Sequence, residues 1–119
     1  MTPLLALLLA ATPPPVGAWV PLEAPRESGS GAYDSGTVER RGDKVNVWVR
    51  WLSEQEGAFQ ETRVMFEIDC RARTGRTVLV ATYGRDGALT GGTDGSTPEA
   101  AIRTGYTGHG IELALCPRS

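Results

Sequence analysis

The sequence predicts an α+β domain, mostly β: an antiparallel β-sheet of about five to six strands with one short C-terminal helix pinned by a disulfide. Three observations carry this. Val45 to Leu52 alternates, with Val45, Val47, Val49 and Trp51 on one side and Asn46, Trp48, Arg50 and Leu52 on the other, the period of a half-buried strand. Thr62 to Arg73 repeats the pattern, placing Val64, Phe66, Ile68, Cys70 and Ala72 on one face. The chain holds two cysteines, Cys70 in that strand and Cys116 in a short apolar segment near the C-terminus.

The chain opens on an unbroken apolar run, Leu4 to Ala11. It is too short to cross a bilayer, which takes about 20 residues, and suits the apolar region of a signal peptide. Pro13, Pro14 and Pro15 stop any helix there. Val16-Gly17-Ala18 then offers slim side chains at the −3 and −1 positions of a cut after Ala18. The expectation is a signal peptide over residues 1–18 and a single domain over residues 19–119. No cysteine lies near that cut, so no lipid anchor is expected there, and no membrane span is expected in the mature chain.

Trp19 to Ala24 reads as an edge strand, because Pro21 cannot donate to a central ladder. Arg26 to Gly31 reads as a loop. Tyr33 to Arg40 reads as a strand, followed by a tight turn at Arg41-Gly42-Asp43-Lys44. With Gly42 and Asp43 as the loop, Val38 pairs with Val47 and Thr37 with Trp48, which sets Val38 on the valine face. Ser53 to Glu61 reads as a polar connection around Gly57. Gly75 turns the chain into a strand over Arg76 to Tyr83. Gly84 to Thr97, rich in glycine, reads as a loop with a ragged strand near Ala88 and Leu89. Gly108 to Cys116 reads as a helix with Ile111, Leu115 and Cys116 on one face, Thr107 as N-cap and Pro117 as its stop.

In a short exported chain two cysteines imply one bridge, and only one intramolecular pairing exists. Cys70 to Cys116 would tie the covering helix to the sheet. Closing a loop of that length is worth roughly 4 kcal/mol in the chain-entropy account.

Charge and composition exclude much. Twelve basic and 14 acidic residues leave a net charge of −2. A phosphate backbone needs a basic surface, so no nucleic-acid partner is expected. His109 is the one histidine, and Ser30 and Ser35 lack the Gly-x-Ser-x-Gly setting of a nucleophile. Glu67 and Asp69 lie two apart on one strand face, the arrangement a carboxylate-based hydrolase would use. Arg63, Arg71 and Arg73 share that face, with Arg50 expected to meet it from the next strand, so a cross-strand salt-bridge surface explains the pair more simply. Asp86 and Asp94 bracket the glycine-rich loop without a calcium-loop pattern, and no Gly-Lys-Ser or Gly-Lys-Thr phosphate loop is present. No metal and no cofactor are expected.

Trp48 and Arg50 stand out. Both lie opposite the valine stripe, and tryptophan with arginine on an open sheet face is the composition of a binding hot spot. The plainer alternative packs Trp48 into a second, smaller core with Tyr33, Leu52 or Met65.

Tyr33-Asp34-Ser35-Gly36, Val45-Asn46-Val47-Trp48-Val49 and Glu67-Ile68-Asp69-Cys70 come in that order. Val78-Leu79-Val80, Thr82-Tyr83 and Leu113-Ala114-Leu115-Cys116 follow. In this order the chain resembles the surface-adhesin protein E family of bacterial exported domains. The resemblance implies an antiparallel β domain with a C-terminal helix, a bridge at the positions of Cys70 and Cys116, and a non-enzymatic role. The family takes its name from a surface protein that binds host extracellular-matrix components.

The function expected is that of an exported, non-enzymatic bacterial binding or envelope domain with a protein partner, in the periplasm first and otherwise at the cell surface or secreted. The alternatives are a periplasmic inhibitor or chaperone-like protein and, more remotely, a hydrolase using Glu67 and Asp69.

Overall fold

The fold is organised by one long hairpin. Strands β4 (Lys44–Gln55) and β5 (Ala58–Asp69) pair over their whole length, from Lys44 opposite Asp69 to Gln55 opposite Ala58. The computed structural model describes residues 17–26, 30–55, 58–84, 89–93 and 96–117. Of the expected signal segment 1–18, residues 1–16 lie outside the described residues.

Around the hairpin lie β1 (Trp19–Pro21), β2 (Ser30–Asp34), β3 (Glu39–Arg41), β6 (Thr74–Tyr83), β7 (Leu89–Thr93) and β8 (Ala100–Ala101). All pairings are antiparallel. The main path runs β1-β2-β4-β5-β6-β7, with β3 added on β4 and β8 on β6. The six-strand path is the sheet expected; β3 and β8 are short additions. Among the described residues one α-helix, α1 (Thr107–Leu115), follows the strands.

The valine face is the core. Val45, Val47, Val49 and Ile68 from the hairpin meet Ile111 and Leu115 from α1. Ile68 and Ile111 are fully enclosed. Burying each such side chain stabilises by about 1.5–3 kcal/mol. Leu22, Tyr33, Val38, Phe66 and Ile102 close the rim.

The helix contains two glycines, poor helix formers. Gly110 has a steric reason: a Cβ there would lie 2.6 Å from the Glu23 carbonyl oxygen, because the strand β1 to β2 connection crosses over the helix. Cys70 and Cys116 are bridged, with the Cα atoms 5.6 Å apart and 46 residues between them in sequence. Beside the bridge, Arg73 donates from Nε and Nη2 to both Glu112 oxygens at 2.7 and 2.9 Å. These hydrogen bonds hold the Glu112 carboxyl below the ordinary glutamate range, against the opposing effect of its burial.

Several elements differ from the sequence expectation, each for a local reason. The strand expected over Tyr33 to Arg40 is broken by a 3-10 turn at Ser35–Thr37. Asp34 makes the break: Gly36 N–H donates to its Oδ1, and Thr37 Oγ1 donates to its carbonyl. Beyond the break the Gly42-Asp43 turn stands as expected, with Arg41 opposite Lys44 and Gly42 at φ 58°.

The turn expected at Gly75 falls earlier. Asp69 Oδ1 accepts from the N–H groups of Arg71 and Ala72, and Arg73 completes the turn at φ 57°. Gly75 lies in β6 instead, because a Cβ there would press on Ile68 at 2.8 Å. The connection expected over Ser53 to Glu61 is mostly ladder, since backbone pairing continues after the apolar alternation stops. Val78 is an extra residue on β6: Met65 opposes Leu79 while Phe66 opposes Thr77. This bulge keeps Thr77 and Val80 on one face despite their odd spacing. The start of α1 lies one residue earlier than expected; Tyr106 is its N-cap and Thr107 its first, buried residue.

Replacing Ile111 by Ala should cost about 2–5 kcal/mol. Replacing Leu113, 44% exposed on the other side of the same helix, should change stability by about 0.5 kcal/mol or less. Urea unfolding of the two variants checks the direction in which α1 faces.

The Glu112 contact carries a sign. The folded carboxyl titrates below its unfolded value of about 4.3. Its contribution is therefore complete above that value and is lost as pH falls through the lowered folded one. Between about pH 7 and pH 3, the urea midpoint of the native protein should fall further than that of Glu112→Gln.

Candidate functional site

The face opposite the valine core holds the residues singled out by sequence. Opposed residues in an antiparallel pair share a face, and the register sets them in rows. Trp48, Met65 and Leu79 form one row, and Arg50, Arg63 and Ala81 the next. Leu52, Glu61 and Tyr83 form a third. Asn46, Glu67 and Arg76 lie on the other side of Trp48.

Trp48 is only 6% exposed. It is buried on this face in the row with Met65 and Leu79, and Ala81 and Tyr83 are buried in the rows beyond. The alternative reading of Trp48 as a packed residue therefore describes its place, and its ring offers little surface to a partner.

Arg50 is different. It is partly buried, and its guanidinium lies over the Trp19 ring at 4.5 Å from the ring centre. Opposite it, Arg63 lies 4.8 Å over Tyr83 and 5.8 Å from the Trp19 ring. Arg63 Nε donates to Glu61 at 2.6 Å. Arg50 forms no ion pair with a described residue. The face thus presents two guanidiniums side by side, set among two aromatic rings and one carboxylate.

Sequence reading placed Arg50 on this face but missed Trp19 as its companion and Tyr83 as that of Arg63. Arg63 opposite Arg50 follows from the hairpin register, which the polar stretch at 53–61 concealed.

The other candidate groups serve the fold. Glu67 accepts from Arg76 at 2.9 Å and lies 3.8 Å from Lys44 Nζ. Asp69 caps the β5 to β6 turn. The salt-bridge surface expected there exists, with Arg76 and Lys44 as Glu67's partners in place of Arg71 and Arg73. His109 Nδ1 accepts from Gly105 N–H at 3.4 Å, supporting a turn in which Gly105 has φ 88°. Among the described residues, no cluster of three or more His, Cys, Asp or Glu side chains is placed to hold a metal ion, and no helix is long and apolar enough to cross a membrane.

On the core face the helix covers one end of the sheet. The uncovered end carries an open groove of about 260 Å³ bordered by Val49, Trp51, Thr62, Val64, Phe66 and Thr77. A second groove of about 490 Å³ adjoins it at Phe66, Thr77 and Thr107 and runs toward Ile102 and Tyr106. The Trp51 ring lies against Gly31, where a Cβ would meet it at 2.1 Å.

An antiparallel sheet with a disulfide-pinned helix, and with Glu67 and Asp69 engaged in ion pairs and a turn, defines a small, stapled, mostly β domain. The family model described as surface-adhesin protein E matches residues 19–116. The chain belongs to that family. Comparison with curated proteins and with solved structures returns no match.

Trp48→Ala should behave as a core truncation and cost about 3–5 kcal/mol. Arg50→Ala should cost about 1 kcal/mol or less, the worth of a partly exposed cation–π contact. Thermal unfolding of the two variants separates the packed residue from the one available to a partner.

Proposed function

We propose that this chain is an exported, non-enzymatic binding domain of the bacterial cell envelope, working in the periplasm after removal of residues 1–18. Its partner is a protein, engaged through the sheet face around Arg50. The observation that carries the reading is the Arg50 site: a guanidinium stacked on Trp19, beside Arg63 and Tyr83, without an ion pair of its own among the described residues. Aromatic and arginine side chains contribute most to protein interfaces. The family description, which names a surface adhesin, supports a binding role. The bridge between Cys70 and Cys116 supports export, since such bonds persist in oxidising compartments. The engagement of Glu67 and Asp69 in ion pairs and turn capping weighs against the hydrolase alternative.

Biotin-tagged mature domain should retain an envelope protein from detergent extracts of the native cells. Arg50→Glu should lower that retention at least tenfold, and Arg71→Glu, in the exposed turn, should not. Equal retention by the two variants would remove the site assignment, and no retained protein would remove the binding reading. External protease should leave the chain intact until the outer membrane is opened; cleavage on intact cells would place it at the surface instead.

A further inference from the structure

We infer that Arg50 and Arg63 form a receptor for a single carboxylate, the side chain of an Asp or Glu on the partner protein. The inference rests on the binding role proposed above and names the chemistry of its contact. Arg50 and Arg63 are directly opposed across β4 and β5, an arrangement of like charges that destabilises a sheet. The fold tempers it with Glu61 on Arg63 and with aromatic rings beneath both guanidiniums.

Stacking matters for what remains. A ring covers the face of a guanidinium and leaves its N–H groups in the plane, directed outward from the edge. Arg50 lies over Trp19, 4.5 Å from the ring centre, and a guanidinium edge left open there fits the two oxygens of one carboxylate. Arg63, one strand away and paired with Glu61, sets a second guanidinium beside it.

The surroundings argue for one negative charge over many. Glu61 and Glu67 lie on this same face, and the chain as a whole carries a net charge of −2. A polyanion such as a sulfated glycan would meet those carboxylates, and the other basic side chains of the face, Arg76 and Lys44, are already paired with Glu67. A lone acidic side chain avoids both problems.

The test uses the isotopically labelled mature domain and two capped tripeptides, acetyl-Gly-Glu-Gly-amide and its glutamine counterpart. In NMR titrations the Glu peptide should shift the Arg50 Nε–H and Trp19 indole N–H resonances saturably, in the millimolar range, and the Gln peptide should not. Arg50→Lys, which keeps the charge but loses the paired donors, should weaken binding several-fold. Equal shifts with the two peptides would overturn the inference. So would tighter saturation by a heparin-derived hexasaccharide than by the Glu peptide. If the Glu peptide fails to bind while Arg50→Glu still releases the retained protein, the carboxylate site falls and the binding role stands. If the peptide binds and no protein is retained, the site stands and the proposed role falls.

Discussion

The position of one short helix governs this domain. Nine residues are too few to hold helical structure alone, since isolated helices below about 12–15 residues are marginal in water. Two glycines weaken α1 further. It persists because Ile111 and Leu115 are sealed against Val45, Val47 and Ile68, and because the Cys70–Cys116 bridge fixes its far end. The two devices depend on each other. The bridge places the helix over the valine stripe, and the packed isoleucines keep the bridged ends in register. Arg73 and Glu112 add a third tie at the same corner. Asp69 shapes the turn that presents both Cys70 and Arg73 to the helix.

Since one helix covers only part of one face, the sheet must solve two further problems. The reverse face is filled by Trp48, Ala81 and Tyr83 and then by side chains that are apolar along their stems and charged at their tips. Arginine suits this position because its guanidinium can lie on a ring while its edge stays wet. The uncovered end of the core face is handled differently, with Trp51 laid over Gly31 and with threonines at Thr62 and Thr77 among the apolar residues. The first solution leaves a charged surface and the second an apolar groove.

Much of this was legible in the sequence because burial and strand period coincide in the central hairpin. The valine stripe, the two-residue Gly42-Asp43 turn, the bridge and the helix that buries Ile111 and Leu115 all follow from alternation and cysteine placement. What was not legible depends on side chains that replace backbone partners. Asp34 and Asp69 each break a strand by accepting backbone N–H groups, and nothing in the alternation announces which aspartate will do so. Gly75 looks like a turn residue and is instead a strand residue that makes room for Ile68. The extra residue Val78 is silent in sequence because Arg76 to Tyr83 remains uniformly strand-like around it. At the candidate site, Trp48 and Arg50 share a face, but depth separates them. Depth depends on which neighbours fill the rows on either side, and those come from β5, β6 and β1.

The crossing of the β1 to β2 connection over α1 at Gly110 and Glu23 has a kinetic meaning. Arg26 N–H also donates to the Gly105 carbonyl at 2.9 Å, so an early segment of the chain rests on the last described element. A chain that emerges N-terminus first can zip the long hairpin as soon as β5 is free. It cannot seat residues 22–26, because the surface they cover has not yet arrived. The connection after the first strand is thus among the last pieces to settle, and closure of the domain waits on the helix. Such long-range closure is intrinsically slow.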